Sequence, residues 1–492
     1  MGLTITRTGI HGVVDAGDDR AVIADILDRP FSYRVAGAEF SDAYERKLWD
    51  GRKRLVEKWR GNRLGFPAGL FDEAVRLIRA AGFDPEVADK RERRPWDSTV
   101  SEWIGHAPYE HQEEAVAAAL ASTGGVLNEP VRSGKTLMAA RIIFTMGQRA
   151  VFVAPSDFLV AQARDVLRAS LSGPRVSVVG LGEDDSTGDV VVASIATLCA
   201  RQKTRWWEKF RRAFGVAFFD ELHHLLGQGE EWRDTALAID AWAKFGLTGT
   251  LDAEEPQIRL WAHALCGPTL HRTSMKYLTE SGFLTPLSIR FIRVDAPSLP
   301  DREWTRSTYA DGVVKCDARN LRLAQEAARH ARDGHLVLVD VAQVGHGRRL
   351  AQILRGMFKP GEVQMLSGSS SNDERHSTLR AFRGRKVKVI VSTFLGEGVD
   401  IPELTVVINA EGGKASPSTI QRLRNLTPAP AADKTEAILI EPIDDHHPTL
   451  ASWTKERLEL YRRERAFQIE VEPKTDKTPD RTRPARGRVR PA

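Results

Sequence analysis

The sequence predicts an α/β protein in which two doubly wound parallel-sheet units stand in tandem behind a small α+β domain. Three observations lead there. At 492 residues the chain is too long for one core, and at roughly 150 residues per domain it implies about three units. Short β-branched runs without alternation recur between helical stretches from residue 105 onward: GGVLNEP, RAVFVAPS, DVVVASI, GVAFFDE and FGLTGT, then HLVLVDV, EVQMLSG, VKVIVST, LTVVINA and EAILIEP. Strands this apolar suit parallel sheets covered by helices on both faces. Between the two series the chain breaks at residues 282–286, which places the first unit at 96–284 and the second at 285–470.

Ahead of these units, residues 31–83 alternate short strand-like and helix-like pieces and end in AGLFDEAVRLIRAAGF, whose apolar residues three and four apart predict an amphipathic helix. The charged, proline-broken ADKRERRPWDS at 88–98 reads as a linker, so residues 1–95 form a small basic domain with its connection. Residues 44–63 carry eight Lys/Arg against three Asp/Glu, 8 − 3 = +5, interleaved with Tyr44, Trp49 and Trp59. Cations for phosphates beside aromatic faces for bases compose a nucleic-acid surface. The candidates are Lys47, Trp49, Arg52, Lys53, Arg54 and Trp59. The alternative is a solvated basic face whose tryptophans belong to the core.

The formal charge of +5 is unevenly placed. Residues 473–492 hold seven Lys/Arg against two Asp, 7 − 2 = +5, so the rest sums to zero. This proline-rich segment has too few apolar side chains to offset the entropy of ordering, and 471–492 is expected to be a disordered basic tail. Three scattered cysteines, Cys199, Cys266 and Cys316, make neither a metal knuckle nor a disulfide framework. With no apolar run of about 18 residues and no secretory start, a soluble protein of a reducing cytoplasm is expected, away from membranes.

After the strand-like GGVL comes NEPVRSGKTLMAARII, in which Ser133, Gly134, Lys135 and Thr136 open a helix. A glycine lets backbone N–H groups approach phosphate oxygens, the lysine neutralises the β and γ phosphates, and the threonine hydroxyl can ligate Mg²⁺. Glu129 stands where the full GxxxxGK[ST] pattern has its first glycine. About 85 residues later GVAFFDELHHL places Asp220 and Glu221 just past an apolar strand. There one acid holds Mg²⁺ and its neighbour can orient and deprotonate an attacking water.

SGKT, DELH and LTGT in that order resemble motifs I, II and III of the superfamily-two helicases and translocases, DExH branch. The resemblance continues through HAPYEHQEEAV, VFVAPSDFLVAQ, VVVASIATL and VSTFLGEGVDIPELTVVI and covers roughly 105–442. It implies two RecA-like domains that sandwich ATP, with Lys135 on phosphate, Thr136 and Asp220 on magnesium, Glu221 as base and Gln112 sensing adenine. His223 would sense the γ-phosphate and pass its state to Thr248 and Thr250, which couple hydrolysis to movement. Zinc at His223 and His224 is excluded, because adjacent histidines of a regular element cannot both face one ion; no structural metal is expected. In the second unit the resemblance places Thr393 on nucleic acid and Gly398 and Asp400 at the nucleotide.

The family's motif VI reads QRxGRxxR, and its arginines stabilise charge on the transferring phosphoryl. Here the stretch is IQRLRNLTP, with Gln421 at the nucleotide. Aligned without a gap, Arg422 is kept and both finger positions become Asn425 and Pro428. With one residue deleted, Arg424 takes the first finger's place. Both registers stay open. The residues around 31–82, WDG with basic neighbours and GFPAGL, resemble the N-terminal domain of bacteriophage recombination and repair helicases. Together these imply an ATP- and Mg²⁺-dependent DNA motor acting on duplex, forked or branched DNA in a phage or bacterium, with RNA the less favoured track. A weakly hydrolysing DNA-binding or restriction-type motor subunit is the alternative that a degenerate finger suggests.

Overall fold

A computed structural model describes residues 2–97, 101–130, 132–249, 251, 255–300, 305–393, 401, 403–414 and 436–474. The chain divides into two compact units, Met1–Leu284 and Thr285–Ala492.

The first unit contains two sheets. In the N-terminal lobe Thr4–Arg7 pairs antiparallel with His11–Asp15 and parallel with Glu86–Asp89, in a five-stranded sheet completed by Arg63–Pro67 and Glu57–Lys58. The amphipathic run becomes the helix Phe71–Ala80, which buries Phe71, Ala74 and Ile78. That three-and-four spacing places the three on one face, packed with Ile5, Val14, Leu64 and Phe66. Beside it a hairpin pairs Ser32–Arg34 with Arg52–Arg54.

The larger sheet of this unit has eight strands. Its centre runs Val190–Ser194, Ala150–Ala154, Val216–Phe219, Ala243–Thr248 and Gly124–Asn128, all parallel. Every residue of these five strands is buried, as double coverage by helices requires. The pleat divides them between two cores. Val151 and Val153 enter the one shared with the N-terminal lobe, and Ala150, Phe152 and Ala154 the other.

The second unit is a seven-stranded sheet in the order Val363–Leu366, Val389–Ser392, Val337–Asp340, Val406–Asn409, Ala437–Ile443, Leu287–Arg293, Phe467–Val471, parallel throughout. Its first strand in sequence lies between its last two. Two buried ion pairs fasten helices to this sheet. Glu441 accepts from Arg457 Nε at 2.8 Å, Tyr461 Oη at 2.8 Å and Asn409 Nδ2 at 3.0 Å. Asp444 takes Arg319 through two bonds of 2.7 and 3.0 Å. The same arginines reach beyond the pairs: Arg319 Nη1 donates to the Ala410 carbonyl at 2.8 Å and Arg457 Nη1 to that of Gly413 at 2.6 Å. Both cores are therefore α/β with parallel sheets, as the apolar runs predict. Among the described residues no helix is long and apolar enough to cross a membrane.

Candidate active site

Parallel strands deliver their following loops to one edge of the sheet, where such folds bind ligands. In the first unit Gly124–Asn128 and Val216–Phe219 flank Ala243–Thr248. The loop 129–134 and the pair Asp220 and Glu221 consequently leave the same edge two strands apart, roughly 10 Å at ordinary strand spacing.

Thr248 ends the strand between them and binds both sides. Its backbone carbonyl accepts the Glu129 N–H at 2.7 Å, which fixes the start of the loop. Its hydroxyl lies 2.9 Å from His223 Nδ1, and the same nitrogen is 3.6 Å from Glu221 Oε2. Asp220, Glu221, His223 and Thr248 are all buried. Glu221 holds φ 43° and ψ 53° at the start of the helix Leu222–Gly227. A non-glycine residue in this left-handed region costs roughly 1–2 kcal/mol, so its carboxylate is aimed by a strained turn.

Gly134 is the N-cap of the helix Lys135–Met146 at φ 88°. A Cβ there would lie 2.3 Å from Gln112 Nε2, so both the backbone conformation and the close approach require glycine. Gln112 is clamped from both ends: Nε2 donates to the Ser133 carbonyl at 2.7 Å, and Oε1 accepts the Tyr109 N–H at 3.0 Å. The predicted adenine-sensing glutamine thus touches the predicted phosphate loop directly.

Among the described residues Lys135 Nζ reaches only the carbonyls of Glu129 and Pro130, both at 3.4 Å. Ser133 Oγ is buried and has no partner among the described residues. These weakly engaged donors and the open N-terminus of the helix fit a phosphate chain. Thr136 follows on the first turn, half-buried.

Glu129 needs no glycine in its place, because its φ is not positive. Its fully buried carboxylate accepts His271 Nδ1 at 2.7 Å, and His271 Nε2 lies 3.6 Å from Glu114. Sequence reasoning missed this brace, whose members are 142 positions apart and share no motif. It also missed the rings around Gln112: Phe283 lies 4.6 Å from Tyr109 and 5.1 Å from His111, centroid to centroid.

In the second unit Thr393 directly follows the strand Val389–Ser392, half-buried, with its N–H on the Leu366 carbonyl at 3.3 Å. Thr250, Gly398, Asp400, Gln421, Arg422 and Arg424 lie outside the described residues, as does the tail beyond Lys474.

The basic N-terminal stretch is more internally occupied than its composition suggests. Arg54 binds Asp28 at 2.5 Å and Asp50 at 2.6 Å, and Arg52 points into its own hairpin, onto Ser32 Oγ and the Ser32 carbonyl, both at 3.0 Å. Trp59 stands edge-on to His11 at 5.1 Å and lies over Gly65, and Trp49 donates to the Arg52 carbonyl. Lys47 and Arg46 are exposed, and Lys53 lies 3.8 Å from Glu230. The largest exposed apolar side chains nearby are Phe40 at 84 % and Leu48 at 79 %.

Two family models match the chain in tandem: type III restriction enzyme, res subunit, over residues 105–253, and helicase conserved C-terminal domain over 320–424. The ATP-dependent DNA helicase uvsW of Enterobacteria phage T4 is 24% identical over 421 residues, 80% of this chain and 81% of that protein. The DNA 3'-5' translocase XPB2 of Sulfurisphaera tokodaii is 26% identical over 450 residues, 82% of this chain and 94% of its own. Among solved structures, the ATP-dependent type ISP restriction-modification enzyme LlaBIII bound to DNA superposes with a TM-score of 0.56 at 12% identity, covering 76% of this chain and 32% of that one. At that identity the likeness is one of fold.

Proposed function

From a chain that carries the superfamily-two helicase core and resembles the phage helicase UvsW, we propose an ATP-dependent DNA helicase or translocase that remodels duplex, forked or branched DNA in replication, recombination or repair. The observation that carries this reading is the position of Thr248, whose carbonyl holds the phosphate loop while its hydroxyl holds His223. A residue bonded to both the nucleotide-binding loop and the DExH histidine is placed to turn hydrolysis into a change elsewhere in the unit.

ATP is the substrate. Ser133, Gly134 and Lys135 hold its phosphates, and Gln112 reads its base. Thr136 and Asp220 would hold Mg²⁺, whose charge would offset that of the phosphates. Glu221 takes the proton of the attacking water, with its carboxylate aimed by the left-handed turn. His223 reports the state of that carboxylate to Thr248. In the second unit Thr393 contacts the nucleic acid, and one of Arg422 and Arg424 serves as the finger. On the N-terminal lobe Lys47, Arg46 and Lys53 meet backbone phosphates, with Phe40 and Leu48 as the apolar contact. The setting is the cytoplasm of a bacterium or phage-infected cell.

The test is the ATPase rate with no nucleic acid, with single-stranded DNA, with forked DNA and with RNA, for the natural chain and for Lys135→Ala. Forked DNA is expected to stimulate most, and Lys135→Ala to abolish the stimulated rate. A Lys135→Ala variant that keeps that rate, or stimulation confined to RNA, sinks the proposal. A second reading, a restriction-type motor subunit that binds DNA and hydrolyses weakly, draws on the restriction-enzyme match of residues 105–253. It predicts tight DNA binding with little stimulation.

A further inference from the structure

The peptide unit that joins Ser133 to Gly134 is gripped by two side chains. Its carbonyl accepts Gln112 Nε2 at 2.7 Å and lies 3.2 Å from His111 Nε2. A carbonyl oxygen can only accept, so Nε2 carries the imidazole proton and Nδ1 is left as the acceptor. That Nδ1 is buried and has no partner among the described residues, an arrangement that costs stability. The imidazole is therefore committed to a single bond, the one on the phosphate loop.

A trans peptide unit is planar, with its C=O and N–H pointing in opposite directions, and no cis bond occurs among the described residues. Pinning the Ser133 carbonyl on Gln112 and His111 consequently aims the Gly134 N–H away from both side chains. Gly134 is the N-cap of Lys135–Met146, and its N–H is among the donors that the open end of that helix offers.

Three aromatic rings hold the His111 ring in place. Tyr109 stacks on it at 6.2 Å and 9°, while Phe283 and Tyr277 meet it edge-on at 5.1 and 6.2 Å. Tyr109 is a neighbour in sequence, but Phe283 comes from 283 − 111 = 172 residues away. A helix end fixes its position. The helix Met275–Glu280 is followed by Gly282 at φ 76°, and the N–H groups of Phe283 and Leu284 both close on the Leu278 carbonyl, at 2.8 and 3.0 Å. Leu284 is the last residue of the first unit, and the first strand of the second unit's sheet begins at Leu287.

We propose that His111 is a positioning residue of the phosphate loop, and that through its contact with Phe283 it links nucleotide binding to the conformation of the segment that leads into the second unit. The proposal rests on the reading of that loop as the ATP site. Phosphate drawn to the Gly134 N–H needs the Ser133–Gly134 peptide in the orientation that His111 supports, and His111 supports it only while Phe283 holds its ring. Linkage runs both ways. What loosens Phe283 weakens phosphate binding, and bound phosphate steadies Phe283. Because His111 acts on the peptide rather than on the adenine, the effect extends to a ligand that has no base.

Two measurements test this. In the first, a fluorescent ATP analogue with Mg²⁺ is titrated into the natural chain, His111→Phe, His111→Gln and Phe283→Leu, and inorganic tripolyphosphate is then used to displace it. His111→Phe keeps an aromatic ring but no donor, and both ligands should bind about three- to tenfold more weakly, the size of one hydrogen bond. Glutamine offers a donor where the ring has Nε2, so His111→Gln should recover most of that loss. Phe283→Leu removes no polar group and should still weaken tripolyphosphate as well as the analogue, by about two- to tenfold. Unfolding midpoints confirm that each variant folds. The second measurement needs no substitution: hydrogen exchange at the Phe283 and Leu284 amides of the natural chain should slow by at least about threefold when the analogue is bound. A natural chain that does not bind the analogue at about 1 mM refutes the ATP site itself and this proposal with it. Where the natural chain binds, the proposal alone is overturned by undiminished affinity in a folded His111→Phe, by loss of the analogue but not of tripolyphosphate in Phe283→Leu, or by exchange at 283 and 284 that ignores the analogue.

Discussion

Gly134→Ala tests the phosphate loop at its tightest point. An alanine must keep φ near 88°, at roughly 1–2 kcal/mol. Its Cβ would lie 2.3 Å from Gln112 Nε2, so the carboxamide has to leave. That breaks the bonds of Gln112 to the Ser133 carbonyl and the Tyr109 N–H, each worth about 0.5–1.5 kcal/mol net. The sum is roughly 2–5 kcal/mol, equivalent to a loss of nucleotide affinity from about thirtyfold to a few thousandfold if the loop yields. The assay is titration with a fluorescent ATP analogue, alongside the unfolding midpoint, for Gly134→Ala, Gln112→Ala and the double variant. Because both single changes discard the same two hydrogen bonds, the double variant should lose less than their sum by about 1–3 kcal/mol. Strict additivity, or nucleotide affinity and stability both unchanged in Gly134→Ala, would refute the reasoning.

Three further outcomes are expected. Thr248→Val keeps the carbonyl on Glu129 but removes the hydroxyl on His223; the DNA-stimulated rate should fall about fivefold for a bond near 1 kcal/mol while the unstimulated rate holds, as steady-state ATPase will show. Of Arg422→Ala and Arg424→Ala, the one that removes the finger should slow turnover by about a thousandfold or more. Loss confined to Arg424 supports the register with one residue deleted, loss confined to Arg422 supports the ungapped one, and no loss in either removes this stretch from the reaction. Burial, helped by Arg319 and Arg349 against Asp444, lowers the His346 pKa from 6.5 to about 3. The unfolded chain takes up this proton below about pH 6.5 and the folded chain does not, so stability should fall as pH drops from 6.5 towards 3. Urea midpoints across that range should flatten in His346→Gln.

The parallel cores were legible because DVVVASI and VKVIVST hold unbroken apolar stretches, VVVA and VIV, instead of an alternation, and buried strands are the common cause of such runs. The strand Leu287–Arg293 escaped notice for the opposite reason. Arg290 and Arg293 interrupt its pattern, each half-buried and each pairing outward, with Glu470 at 3.2 Å and Asp445 at 3.1 Å. Residues 4–15 were also passed over, since TITR and HGVVD are too short to signal a sheet without their partner at 86–89. SGKT, DELH and LTGT announced the loop, the carboxylates and the pairing of His223 with Thr248, but not that the Thr248 carbonyl would also hold Glu129. Motifs record which residues a reaction needs, whereas Glu129 with His271, and Gln112 with Ser133, are contacts that only folding brings together. Composition is equally silent on contacts in the basic stretch, since counting arginines cannot reveal that Asp28 and Asp50 already hold one of them, Arg54.

The seven-stranded sheet also governs how this chain emerges from a ribosome. Leu287–Arg293 pairs with Ala437–Ile443 and Phe467–Val471, so its second neighbour is 467 − 287 = 180 residues downstream. At ordinary synthesis rates that separation takes roughly 9 to 36 s. Until residues 437–443 are made both edges of this strand are unpaired, and one stays so until 467–471, behind an N-terminal unit whose own sheets are already fully translated. Such a segment invites pairing with neighbouring nascent chains. Slowed synthesis or a stop before residue 437 should turn this protein insoluble before it could leave it inactive.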